Sequence, residues 1–231
     1  MGYTYTRPSG PERVWRRGHT GGEERYSERA YAGGNALFAL LAATLTLIGQ
    51  QYTLNLGIDP DKAGVLAIVL IVVALISAFV MMFSGKPPVS LTALIVMSGS
   101  LGLFLGIVDP GIAVGPLLAS LAVAVVLALV GWFVRADLHK WGSWLLGLTT
   151  ALIVAGFLLP FIESFGVNPG TYEPPLALSI FSALLFSGWM IYDWNRARRM
   201  PRTLDNMIDN GGAIYLDWLN IYLAFRRVTG S

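Results

Sequence analysis

From Asn35 onward the chain reads as apolar runs separated by short polar segments rich in turn formers. Each run is roughly 20 residues long, the length a helix needs to cross about 30 Å of hydrocarbon at 1.5 Å per residue. The pattern predicts helices near Asn35–Leu56, Gly64–Phe83, Val89–Val108, Ala113–Val134, Trp141–Ile162, Pro175–Trp194 and Thr203–Phe225. The separators, among them Ser84-Gly85-Lys86-Pro87-Pro88 and Asp109-Pro110-Gly111, are too short to hold a folded domain. Chemistry, if there is any, belongs to the bundle.

The last element breaks the pattern. Its purely apolar part begins at Ala213, after Asp205, Asn206, Asp209, Asn210, Gly211 and Gly212. That part is too short to cross alone. The element is therefore either a full, polar helix enclosed by its neighbours or a half-helix that re-enters, and in both cases it lies beside a cavity. In the third run Ser98, Gly102 and Gly106 recur at four-residue intervals, a ridge that lets helix backbones approach closely.

Composition agrees with a membrane protein: 55% of the residues are hydrophobic and only 13% charged. Residues 1–34 differ, with six arginines, four glutamates and seven glycines, and read as a disordered, basic cytoplasmic tail ahead of a membrane domain over 35–231. With that tail inside, thirteen basic residues fall in inside segments and only Lys62 in an outside loop, with Arg226 and Arg227 as exceptions. Trp132, Trp141, Trp144 and Trp194 gather beside the inside loops as interface anchors. Arg196 to Arg202 read as a topology determinant attracted to anionic lipid. Glu163 and Glu173 solvate an outer loop or draw cations to a pore mouth.

Several chemistries lack raw material. The absence of cysteine removes disulfides, thiolate metal sites and cysteine nucleophiles. Both histidines, His19 and His139, fall in polar segments, so an intramembrane Ser–His dyad cannot be assembled. A retinal Schiff base needs a lysine inside a span, and none of the predicted spans has one. No nucleophile–base pair emerges from the buried residues, so no enzyme is expected. Nothing points to a nucleic-acid partner or a resident cofactor.

What remains is acidic. Asp193 near the inner end of the sixth run and Asp217 in the seventh are charges that insertion scales penalise by about 2.5–3.5 kcal/mol each, so a chain that keeps them generally uses them. Asn206, Asn210, Ala213, Asp217 and Asn220 fall along one helical stripe, with Asp209 close by. If the sixth and seventh stripes face each other, the two aspartates meet. Such a pair holds a shared proton, a bound cation or a salt bridge to a base. Calcium would suit it, weakly, helped by Asn220 and backbone carbonyls at Gly211 and Gly212. The competing reading is helix-to-helix hydrogen bonding and no more.

The segments Tyr192-Asp193-Trp194-Asn195 and Tyr215-Leu216-Asp217-Trp218-Leu219-Asn220-Ile221-Tyr222-Leu223, with Arg135-Ala136-Asp137-Leu138 and Gly142, resemble the signature of the Bax inhibitor-1 family. The resemblance implies an all-α membrane protein, a seven-transmembrane-helix bundle with a central, polar seventh helix surrounded by the other six. It further implies a pH-sensitive calcium leak in which Asp193 and Asp217 form the sensor and a weak calcium site; Asn220, Asp209, Asn210 and Lys86 are candidate supporting residues by their placement, Asp209 and Asn210 adding polarity where many relatives are apolar. In bacterial members an arginine near the end of the second helix pairs with the sixth-helix aspartate and latches the closed pore. Met82 stands at that position here, and Lys86 is the nearest base. A proton-coupled transporter of a small solute and a non-conducting stress-response scaffold are the alternatives. Partners are expected to be the lipid bilayer, calcium and protons, with the oligomeric state open and a monomer plausible, in a prokaryotic cell membrane, the endoplasmic reticulum being the other candidate.

Overall fold

The computed structural model describes residues 26–58, 60–108, 111–164 and 176–230, with the side chains of 60–62 and 157–164 outside the description. Among these residues there are seven helices and no strand: α1 (Glu28–Leu56), α2 (Pro60–Phe83), α3 (Pro87–Val108), α4 (Val114–Phe133), α5 (Trp141–Ser164), α6 (Leu176–Ala197) and α7 (Leu204–Thr229). Five of them, α1, α2 from Ala63, α3, α4 and α6, are long and apolar enough to cross a bilayer. The described apolar part of α5, Trp141–Gly156, is shorter. Their outer faces carry side chains such as Leu37, Phe79, Phe133 and Leu184, each more than half exposed. Apolar surface on that scale marks a face that meets lipid.

Helix α1 starts at Glu28 rather than Asn35, because Ser27 caps it: its hydroxyl accepts the Ala30 N–H at 3.2 Å, and Glu28 sits in the positive first turn. Seven residues assigned to the tail are thus helical; residues 1–25, like Glu173 and the side chain of Glu163, lie outside the described residues. Helix α7 is one continuous helix of 26 residues, about 39 Å at 1.5 Å per residue. Of the two forms expected for the last element, the unbroken one is observed. Thr203 caps its start by accepting the Asn206 N–H, and Gly230, at φ 67, ends it in the left-handed conformation.

Helix α7 packs against α1, α3, α4 and α6, whereas α2 packs chiefly on α3 and α5 on α6. The expected ring of six is therefore a ring of four with two outriders. The second helix reaches α7 through Met81, whose side chain lies against Gly212. Among the described residues α7 is also the helix with the most buried positions, polar ones included: Asp205, Asn206, Asn210 and Asp217. Enclosure answers the problem the sequence posed, since polar groups in hydrocarbon must be met by protein or water.

Lipid supplies no hydrophobic drive between helices, so close backbone contact and hydrogen bonds hold them. The α3 ridge does this against α1. A Cβ on Gly102 would overlap the Thr46 carbonyl oxygen, and one on Gly106 would stand 2.6 Å from that of Gln50. Between them the Thr46 hydroxyl lies 3.0 Å from the Ser98 carbonyl and 2.5 Å from the Tyr215 hydroxyl, tying α1, α3 and α7 at one point. At one end of the bundle Gly111, at φ 116, offers its carbonyl to Gln50 at 3.1 Å and to Arg226 at 2.8 Å. This explains one exception to the charge asymmetry: Arg226 is buried and clamps the α3–α4 connection.

Gly102→Ala is expected to cost about 1–3 kcal/mol, because the atoms its methyl meets are backbone and cannot swing away. Gly99→Ala, with nothing within 4 Å of its would-be Cβ, is the control and is expected to be neutral or slightly stabilising. Thermal unfolding of the two variants in detergent separates them.

Candidate functional site

Helix α6 carries Asp193 on its last full turn, and α7 carries Asp217 near its middle. Where the two helices pack, both carboxyl groups are buried, at 4% and 5% exposure, and they lie close enough to act on each other. Two buried carboxyl groups can hydrogen-bond to each other only when one carries a proton, so one shared proton is the state that suits the pair. Asp193 Oδ1 and Asp217 Oδ2 have no hydrogen-bond partner among the described residues. Buried oxygens of this kind are where water or a cation can bind.

A base stands beside them that the sequence reading did not assign. Helix α6 continues past Trp194 to Ala197, which puts Arg196 on the turn after Asp193 and on the same side. Its Nη1 lies 3.7 Å from Asp193 Oδ1, and its Nη2 donates to Asn210 Oδ1 at 3.3 Å. Asn210 in turn donates to the Tyr31 hydroxyl of α1 at 2.9 Å. One proton on the aspartates leaves one negative charge, which the guanidinium balances. The triad is then neutral, the only cheap state for charges taken out of water. Removing the proton leaves a net negative charge that a cation would offset.

The expected supporting residues divide. Asn210 joins the triad through Arg196. Asn220 does not, since its amide donates to Leu216 of its own helix at 2.8 Å. Asp209 faces the other way, toward Ser90 of α3, whose hydroxyl donates to Asp205 at 2.8 Å. Lys86 is exposed at the start of α3, and no ion pair joins it to either aspartate among the described residues. Met82 is 42% exposed, while its neighbour Met81 is buried against α7. Neither Lys86 nor the second helix supplies the counter-charge; Arg196 does. For calcium, two carboxyl oxygens, one of them already facing Arg196, fall well short of the six to eight it takes, and among the described residues no cluster of three or more acidic or histidine side chains makes up the difference.

The other basic residues after α6 have structural tasks rather than a purely topological one. Arg198 donates to the Trp132 carbonyl and lies over that indole ring, and Arg199 donates to the carbonyls of Arg135 at 3.0 Å and Ala136 at 2.9 Å. Arg202 pairs with Glu28 at 3.5 Å. Trp194 is no interface anchor: it is buried, edge-on to Trp132, against Gly131. Trp141 and Trp144 remain exposed, as anchors must.

Asn195 shows why its motif and the Arg135–Leu138 segment occur together. Its buried amide donates to the carbonyls of Val134 at 2.8 Å and Ala136 at 3.2 Å, while its oxygen accepts the Leu138 N–H at 3.4 Å. One side chain thereby satisfies the turn between α4 and α5 and fixes it to the end of α6, next to the aspartates.

Comparison with known proteins adds two findings. The family described as Inhibitor of apoptosis-promoting Bax1 matches over residues 30–231. An uncharacterized protein of Borreliella burgdorferi is 28% identical over 113 residues, and that stretch is 46% of this chain and 46% of the relative, so the chain spans about half the length of the curated relative it matches.

Asn195→Ala is expected to destabilise the protein by about 1–3 kcal/mol, the cost of leaving buried carbonyls unmet. Asn195→Asp, which keeps the shape but removes the donors, is expected to do no better. Thermal unfolding and hydrogen exchange at the Leu138 amide check both.

Proposed function

The chain belongs to the Bax inhibitor-1 family, and from that premise we propose that it is a pH-sensitive leak pathway for calcium and related cations, gated by Asp193 and Asp217. It is an integral membrane protein. In this reading all seven helices cross the bilayer, and α7, enclosed by α1, α3, α4 and α6, lines the pathway. The observation that carries the proposal is the close approach of two buried carboxyl groups between α6 and α7, with Asp217 Oδ2 left without a hydrogen-bond partner among the described residues. A proton there closes the contact. Its loss separates two like charges and offers their oxygens to a cation, so proton and cation compete for one site. Calcium is cargo here, held weakly, as a leak requires.

Arg196 enters as the restraint. Its charge balances the singly protonated pair and opposes a cation at the same place. A proton-coupled transporter could use the same carboxyl pair as a relay; it differs in accumulating solute against a gradient, whereas a leak only equalises.

In proteoliposomes loaded with a calcium indicator, Asp193→Asn and Asp217→Asn are each expected to abolish the pH dependence of flux. Unchanged flux and an unchanged pH profile in both would reject the gate. Arg196→Gln is expected to raise flux several-fold at a given pH, since it removes a positive charge beside the path; equal or lower flux from a folded variant would remove Arg196 from the mechanism.

A further inference from the structure

A cavity of about 140 Å³ opens between the start of α5 and the inner end of α6, lined by His139, Gly142, Ser143, Leu146 and Tyr192. It is too small for a drug-sized molecule, whose sites run to roughly 300–1,000 Å³, and is on the scale of a single compact polar group. Its three polar side chains, an imidazole and two hydroxyls, can all donate hydrogen bonds. No carboxylate lines it: Asp137, the nearest in sequence, accepts the His139 backbone N–H at 3.0 Å and lies 3.9 Å from Arg199.

The floor is firm. Tyr192 is buried, its hydroxyl lies 2.7 Å from where a Cβ on Gly142 would stand, and its ring meets Trp189 edge-on at 5.5 Å. Trp189 in turn donates to the Thr149 hydroxyl of α5 at 2.7 Å. Any side chain at position 142 would fill the space over the phenol. Beside the cavity stand exposed Lys140 and exposed Trp141 and Trp144. Amphipathic indoles at 54% and 78% exposure settle at headgroup depth, which puts the opening where lipid phosphates lie.

From this arrangement we infer that the cavity is a binding site for a phosphate-bearing anion, and that its occupant is the headgroup of an anionic phospholipid. The Ser143 and Tyr192 hydroxyls and the His139 imidazole receive the phosphate oxygens, Lys140 adds charge from the rim, and Leu146 meets the glycerol end. The site is separate from the aspartate pair, and the inference stands whether or not the protein conducts.

The full-length protein, purified into phosphatidylcholine nanodiscs, is titrated with phosphatidylglycerol, and retained lipid is counted by native mass spectrometry. Ser143→Asp places a negative charge at the cavity wall, while Ser143→Asn is its neutral match in size; position 143 is exposed, so both are expected to fold, which thermal unfolding verifies. The aspartate variant is expected to retain phosphatidylglycerol roughly tenfold less than the asparagine variant, the scale of one charge-assisted hydrogen bond. His139→Glu repeats the test from the loop side. General attraction of the arginine-rich segments for acidic lipid would survive these variants, so equal retention in all of them overturns the site. Inorganic phosphate that displaces the lipid from wild type but not from Ser143→Asp assigns the same cavity to soluble phosphate. No phosphatidylglycerol preference and no phosphate binding in wild type overturns the inference outright.

Discussion

Two carboxyl groups meeting inside a bundle of apolar helices set the terms for the rest of this structure. Neither can be left charged and alone in a low-dielectric interior, and two together repel unless a proton or a cation lies between them. The protein meets that demand locally. A proton shared by the pair would remove one charge, and Arg196, from the turn after Asp193, stands 3.7 Å from Asp193 to balance the other. The guanidinium is itself fixed by Asn210, and Asn210 by Tyr31, so the balance depends on α1, α6 and α7 holding their relative places.

Those places are set by contacts that do not need water to drive them. Glycines at 102 and 106 bring α3 against the backbone of α1, and the Thr46 hydroxyl joins both to Tyr215. On the other side Ser120 of α4 accepts the Trp218 N–H at 3.1 Å. Each bond anchors α7 to a different neighbour, and together they place a helix too polar for lipid where protein surrounds it. A helix of Leu204–Thr229 composition left at the rim would expose Asp205, Asn206 and Asn210 to hydrocarbon.

Much of this was readable in the residues. Unbroken apolar runs gave the ends of the later helices to within about four positions, because a span's length is fixed by the bilayer rather than by tertiary detail, whereas the first helix starts seven residues earlier, at its Ser27 cap. The glycine ridge and the convergence of Asp193 with Asp217 were also legible, since both follow from helical periodicity. Arg196 was not. The polar character of Asn195 to Arg202 reads as a loop, yet α6 runs on to Ala197, and that extra turn carries the arginine back toward Asp193. Charge patterning counted Arg196, Arg198 and Arg199 as one inside cluster; it could not show that each reaches a different group. Trp194 misled for a related reason: its position in sequence suits an interface, but only packing reveals that it faces Trp132 and Gly131.

The counter-charge also bears on how such a gate can differ from one built with a base on another helix. An ion pair between two helices breaks when they separate, so helix motion and charge release are one event. Arg196 and Asp193 lie three residues apart on the same helix and travel together when α6 moves. What changes on such a movement is the reach of Arg196 to Asn210 and of Asp193 to Asp217, both of which cross to α7. In the proposed gating, the α6–α7 boundary is the place where opening would occur. It is bounded at one end by Asn195 and the turn it holds, which keeps the end of α6 fixed to α4 and α5. Because α7 is itself tied to α1 and α4 through Tyr215 and Trp218, a local separation around Asp193 and Asp217 breaks fewer bonds than displacing either helix whole.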